Sequence, residues 1–338
     1  MLISWNITRR CNLYCEHCYR DSGPQAPVAG QLSTEEGRRL IDQIKEAGFR
    51  LLILSGGEPL TRDDVCELVA YAASTGLRPV MGSNGTLLTA AKAAALKAAG
   101  LGGIAISIDS SAPAYHNRFR NASDGWQKAV MGIRHAREAG MKVQINMTLS
   151  EKNIDDFEQV VRLAEQLNVV SLHPFFLVPT GRGVNMEEEA LKRERYFSVL
   201  KRVLVKQKTT AVEIKPTCAP QFMPLAKSMG LDLRYTRGCL AGVSYCSVLP
   251  EGDVHVCPYL PVKAGNVREQ PFHEIWSHSS VFKDLRNFQK YEGACGSCPD
   301  IHICGGCRAR SYFYSNGNYL AEEPWCFKRF ADQLAVEG

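Results

Sequence analysis

Between Leu2 and Val205 the sequence runs six times through one figure: a short apolar stretch, then a longer one with apolar residues on a helical period. Leu2-Ile3-Ser4-Trp5-Asn6-Ile7 reads as the first strand. Ser33-Thr34-Glu35-Glu36 has the form of a capping box, with the Ser33 hydroxyl on the Glu36 amide and the Glu36 carboxylate reaching back. The helix it starts puts Leu40, Ile41, Ile44 and Ala47 on one face and stops at Gly48. Leu51 to Leu54 follows unbroken, the pattern of a strand covered on both faces. Helical stripes recur at 65–73, 89–100, 125–139, 157–167 and 187–205, with strands at 77–81, 104–108, 141–147 and 169–178. Such a chain folds as a parallel α/β sheet with right-handed crossovers. Six units are fewer than a closed (β/α)8 barrel needs, so a partial (β/α)6 barrel is expected, with a doubly wound open sheet as the alternative. Both gather their chemistry at the carboxyl ends of the strands.

Directly after the first strand, Cys11-Asn12-Leu13-Tyr14-Cys15-Glu16-His17-Cys18 brings three thiols into one short loop. The next Cys is Cys66, so a tetrahedral thiolate site here is one ligand short. An open position means chemistry more often than scaffolding. Thiolates select zinc, copper(I) or iron–sulfur centres; three free thiols is the bland reading. The second strand ends in Ser55-Gly56-Gly57-Glu58-Pro59, where two glycines let the backbone expose amides as a small anion nest and Glu58 adds an acceptor for an amine. Ser83 and Ser107 end the third and fourth strands, followed by Asp109 and, further on, Arg120. Each alone is equally a turn or cap residue.

Thirteen cysteines without an export signal point to metal or redox work in the reducing cytoplasm rather than to disulfides. Cys66 stands apart on an apolar helix stripe and reads as a buried structural thiol. No apolar run approaches a membrane span. The net charge of +5, without a concentrated basic run, gives no case for nucleic acid.

The Cys-x3-Cys-x2-Cys loop after strand one, with Gly-Gly-Glu-Pro after strand two, resembles the radical S-adenosylmethionine (SAM) superfamily. The resemblance implies that Cys11, Cys15 and Cys18 hold a [4Fe–4S] cluster whose open iron binds SAM. It further implies that Gly56, Gly57 and Glu58 hold the methionyl end of SAM, with Ser83, Ser107 and Arg120 as further contacts. His17 stands where the family often has an aromatic residue, a role that Tyr19 could share.

From Cys239 the chain is rich in Gly, Pro and Cys, with only short strand-like runs. Paired thiols of this kind bind metal, with zinc the competitor to iron–sulfur. Their order is similar to the SPASM extension of radical SAM enzymes, which carries two auxiliary [4Fe–4S] clusters. By that resemblance Cys239, Cys257 and Cys307 bind the first, with Cys218 or else Cys246 as fourth ligand. Cys295, Cys298, Cys304 and Cys326 bind the second. Two residues separate Cys304 from Cys307, where the family usually has three. The expected domains are 1–207, the barrel, and 208–338, the Cys-rich SPASM domain.

The resemblance implies cleavage of SAM to a 5′-deoxyadenosyl radical, fed by an electron donor such as flavodoxin or ferredoxin. Three stretches, 175–183, 238–246 and 304–310, look like the haem-biosynthesis members, which include an iron-coproporphyrin III decarboxylase. A tetrapyrrole substrate is therefore expected, with Phe175 and Phe176 for its cavity and Arg182 for a propionate; each could equally be core or a loop brace. The alternatives are a peptide maturase and a non-catalytic iron–sulfur or zinc protein.

Overall fold

The computed structural model describes residues 1–329; the last part of the expected second domain, 330–338, lies outside them. Strands β1 (Leu2–Asn6), β2 (Leu51–Ser55), β3 (Arg78–Ser83), β4 (Gly103–Ser107), β5 (Lys142–Leu149), β6 (Ser171–Phe176) and the short β7 (Glu213–Ile214) lie side by side in chain order, all parallel. Sequential order with right-handed crossovers sends the connecting helices to one face and curls the sheet. A doubly wound sheet would reverse its order at a switch point. The fold is therefore the partial barrel.

The helices are α1 (Thr34–Glu46), α2 (Val65–Ser74), α3 (Ala90–Ala98), α4 (Pro113–Phe119), α5 (Gly125–Glu138), α6 (Phe157–Gln166) and α7 (Arg193–Gln207). The capping box is present: Ser33 Oγ accepts from the Glu36 N–H at 3.2 Å, and Glu36 Oε2 accepts from the Ser33 N–H at 2.8 Å. Two elements differ from expectation. Helix α4, short and with little apolar periodicity, was not foreseen. The stretch 181–189 is a 3-10 segment, and α7 begins only at Arg193. Lys192 is extended there, and Glu187 is drawn aside by Lys192 and the Tyr314 hydroxyl.

The two faces of the sheet differ in kind. Trp5, Leu52, Leu54, Ile106, Ile145 and Phe176 are buried beneath the helices. Gly37 of α1 lies directly over Trp5, and Phe176 meets Tyr196 of α7 edge-on at 5.0 Å. Each such side chain contributes about 1.5–3 kcal/mol by burial. Alternate residues point the other way: Ser4, Asn6, Ser55, Ser107, Gln144, Asn146, His173 and Phe175 line the concave face. Several of these are only partly buried, as are Leu51 and Ile53, so β2 is covered fully on one face only.

The sheet does not stop at residue 207. β8 (Tyr245–Val248) pairs in parallel with the free edge of β1, Ile3 opposite Cys246, and β9 (Asp253–His255) and β10 (Lys263–Asn266) continue it antiparallel. Arg268 reaches back to the α1 cap, donating to both Glu36 carboxylate oxygens at 2.6 and 2.7 Å. Among the described residues no helix is long and apolar enough to cross a membrane.

Candidate metal centres

The Cys11–Cys18 loop leaves the carboxyl end of β1, and Cys11, Leu13 and Cys15 form a small buried cluster with Cys18 against it. Its sulfurs receive donors: Leu13 N–H to Cys11 Sγ at 3.4 Å, Ser22 N–H to Cys18 Sγ at 3.4 Å, and Asn84 Nδ2 to Cys11 Sγ at 3.8 Å. Burial pushes the Cys11 thiol up to about 12 and Cys15 to about 11. Deprotonated sulfur in this position therefore needs a cation beside it. Three such thiols on one loop, with N–H donors aimed at sulfur, form a donor set suited to an iron–sulfur cluster.

The Gly56–Gly57 turn does not form the open nest expected of it. The Gly57 N–H donates to the Thr8 carbonyl at 2.7 Å and the Glu58 N–H to the Arg10 carbonyl at 2.8 Å. A Cβ on Gly56 would stand 2.4 Å from the Thr8 oxygen, and one on Gly57 2.2 Å from that of Arg10. The glycines are there so that the end of β2 can press against the chain entering the Cys loop. Glu58 is fully buried, and its carboxylate accepts from Leu60 N–H, Ser83 Oγ and Asn84 N–H. A carboxylate has about four acceptor sites, which leaves one.

Ser83 is thus tied to Glu58, whereas Ser107 lies partly open on the concave face. Arg120 and Asp109 are partners: Nε donates to Asp109 Oδ2 at 2.6 Å, and Nη1 lies 3.9 Å from Cys15 Sγ. Burial alone would raise the Asp109 carboxyl, but the Arg120 guanidinium above all holds it down at about 2. His17 stacks on Phe119 at 4.1 Å and, kept neutral by burial, titrates at about 3. It fills the aromatic position itself.

Arg182 is a brace. Its Nε donates to the Cys15 carbonyl at 2.9 Å, Nη1 to Asp21 at 2.6 Å and Nη2 to the Ser22 carbonyl at 2.8 Å, and its guanidinium lies over the Tyr14 ring. Its donors are engaged in the loop, which corrects the expectation of a propionate contact. Phe176 is core; Phe175 remains on the concave face. A cleft of about 710 Å³ opens beside the loop, walled by Tyr14, Cys15, Arg118, Arg182 and Glu189.

The second thiol field sorts into two groups. Cys307, Cys257 and Cys239 lie within electrostatic reach of Cys218. Cys295 and Cys298 are in reach of Cys326, and Cys326 and Cys295 of Cys304. Cys218 has a left-handed backbone, φ 57°, rare for a residue with a side chain. Its carbonyl accepts from Arg310 Nη2 at 2.6 Å, and Arg310 pairs with Glu323 at 3.0 Å, whose other oxygen accepts the Cys307 N–H at 2.7 Å. Cys246 lies elsewhere, fully buried on β8 opposite Ile3, so the geometry separates the two candidates for the fourth ligand. Arg308, also buried, points Nη2 at Cys295 Sγ at 3.6 Å. Cys66 is half-buried on α2 against the core. The loop brace that the sequence left as the alternative for Arg182 is the one the structure shows; the Asp109–Arg120 pair and the arginines of 308–310 escaped the sequence reading, and only the proximity of Arg308 and Arg310 to Cys307 hinted at the last.

Among the described residues no three His, Cys, Asp or Glu side chains are gathered tightly enough for a single ion. Thiolates around a cluster stand further apart, each on its own iron.

Residues 5–164 match the family model of the radical SAM superfamily, and residues 239–299 that of the SPASM iron–sulfur cluster-binding domain. The chain is 41% identical to an AdoMet-dependent heme synthase of Methanosarcina barkeri, over 97% of this chain and 96% of that one. It is 40% identical to one of Nitratidesulfovibrio vulgaris, over 96% and 91%. In fold it is similar to anSMEcpe solved with bound AdoMet, with a TM-score of 0.73 at 17% identity over 99% and 98% of the two chains.

Proposed function

The chain belongs to the radical SAM superfamily and carries the SPASM extension, and from that premise we propose that this enzyme oxidatively removes carboxyl groups from the propionates of iron-coproporphyrin III. The observation that carries the reading is the 41% identity to a heme synthase along nearly the whole of both chains, with both thiol fields present. When bound, the cluster and SAM supply a 5′-deoxyadenosyl radical able to take hydrogen from an unreactive carbon.

The protein's own part is to hold and orient. Cys11, Cys15 and Cys18 would bind the cluster, with Arg182 and Arg120 fixing the loop. Gly56, Gly57, Glu58, Ser83 and Ser107 form the rim against which SAM would lie. Their roles differ: the glycines, the buried Glu58 and Ser83 shape the rim, while the open Ser107 hydroxyl is what the rim offers a ligand. Cys218, Cys239, Cys257 and Cys307 would hold one auxiliary cluster, and Cys295, Cys298, Cys304 and Cys326 the other. Clusters held there would supply acceptors for the electron that each decarboxylation releases, and a flavodoxin or ferredoxin would be the electron donor to the first centre. The thirteen cysteines, none of them in a disulfide, suit a reducing cytoplasm.

Anaerobic incubation with iron-coproporphyrin III, SAM and a reductant is expected to give vinyl products with one carbon dioxide, one methionine and one 5′-deoxyadenosine for each vinyl group formed. Release of the latter two with every propionate retained would overturn the substrate and leave the superfamily chemistry standing.

A further inference from the structure

Among the described residues, Arg20 is the one arginine near the Cys loop that is neither exposed nor paired with a carboxylate. Its Nε and Nη2 are buried and have no hydrogen-bond partner. The groups that act on its charge most are Tyr19, Cys257, Tyr245 and the like-charged Arg9, and His255 also lies within electrostatic reach; no carboxylate is among them. Arg9 pairs with Glu251, Arg62 with Asp64, Arg120 with Asp109 and Arg182 with Asp21, while Arg10 and Arg118 are exposed to solvent. A buried guanidinium without an anion is costly, so a fold that keeps one is built to receive an anion.

The surroundings say which kind. Arg20 shares with Asn6, Thr8, Ser22, Gly56 and the Glu251-paired Arg9 a cavity of about 10 Å³, room for a single oxygen-sized atom. Both polar atoms of the Asn6 amide and the Ser22 hydroxyl are likewise buried without partners. A water could satisfy these hydrogen bonds, but it could not neutralise the cation. Beside Arg20 stand tyrosine rings: the guanidinium lies 5.5 Å from the Tyr19 ring centre, Tyr19 lies 5.0 Å from Tyr259, and Tyr245 is anchored to Ser4 at 2.8 Å. Tyr19 lies within electrostatic reach of Cys18, and Tyr245 and Tyr259 within reach of Cys257, so an aromatic substrate against these rings would be near both thiol fields.

We propose that Arg20, with Asn6, anchors a carboxylate arm of a flat aromatic substrate that lies against Tyr19 and Tyr259. Resting on the tetrapyrrole reading above, this assigns to Arg20 a propionate that is kept. A cation gripping a carboxylate opposes its departure as neutral carbon dioxide, so the anchored arm is not the reacting one.

The test titrates the reconstituted enzyme, followed by visible absorbance, with iron-coproporphyrin III and with its tetramethyl ester. Arg20→Gln is expected to weaken binding of the free acid about ten- to hundredfold, as for a lost charge-assisted hydrogen bond. Arg20→Lys should recover part of this, and the ester should bind wild type and both variants alike. Iron content and the EPR signals of the reduced clusters should match wild type. Equal affinity of wild type and Arg20→Gln for the free acid overturns the anchor and leaves the tetrapyrrole reading intact. An altered cluster signal with unaltered affinity also overturns it, making Arg20 a counter-charge to the Cys257 site. Wild type binding neither compound overturns both readings. If Arg20→Gln fails to fold, Arg20→Lys and Asn6→Ala carry the same comparison.

Discussion

Arg182 Nε donates to the Cys15 carbonyl at 2.9 Å, and the Arg182 backbone N–H donates to the Cys18 carbonyl at 3.0 Å. One residue beyond β6 thus clasps both ends of the second half of a loop that begins after β1. The separation in sequence is long, so the loop keeps its shape only when the barrel has curled.

Arg182→Ala should therefore act on the loop and not on substrate affinity. A stability loss of about 2–3 kcal/mol is expected from three side-chain donors to charged and carbonyl groups, together with loss of one cluster's iron. Arg182→Lys should rescue poorly, because an ammonium cannot span the three acceptors. Iron and sulfide counts with thermal melting check this; wild-type values for Arg182→Ala would remove the brace.

Cys218 and Cys246 give opposite expectations. Cys218→Ala should cost the iron of one auxiliary cluster, since Cys307, Cys257 and Cys239 are its neighbours. Cys246→Ala should keep all the iron and lose about 1–2 kcal/mol for a small core cavity. Iron counting and denaturant unfolding under anaerobic conditions separate the two; retained iron in Cys218→Ala would reassign the ligand.

Arg308 aims a buried positive charge at Cys295. Arg308→Met should make the second auxiliary centre harder to reduce, lowering its potential by on the order of tens of millivolts. EPR-monitored redox titration reads the shift, and an unmoved potential would reduce Arg308 to packing.

His173, on the concave face, is held at about 3 by burial and then by Lys215. An unfolded imidazole titrates at about 6.5, so on acidification the unfolded chain takes up a proton that the native one refuses. Stability is thus fully present above about pH 6.5 and falls below it, by up to about 1.4 kcal/mol per pH unit. His173→Gln should flatten that slope between about pH 7 and 5.5 in unfolding experiments. An unchanged slope would place the histidine in contact with bulk water.

The repeat of strand and helix was legible because local periodicity writes it: the capping box, the glycine stops and the buried stripes fall where they were expected. The Cys spacing was legible for the same reason, being a local pattern. What escaped depends on pairing across the chain. Gly56 and Gly57 looked like an exposed turn, and only the approach of Thr8 and Arg10 shows the amides of Gly57 and Glu58 spent. Arg182 carries the same charge wherever it points, and its partners lie far back in sequence. Tyr245 to Val248 is too short a run to declare itself a strand, and its place beside β1 is set by an open edge.

That place beside β1 has a consequence for synthesis. As the chain leaves the ribosome, β1 emerges first, yet its outer edge stays bare until residues 245–248 arrive. An unpaired edge is a template for wrong partners, so the nascent barrel spends most of its translation with its first strand half-dressed. A chain cut at residue 207 would keep that edge for good.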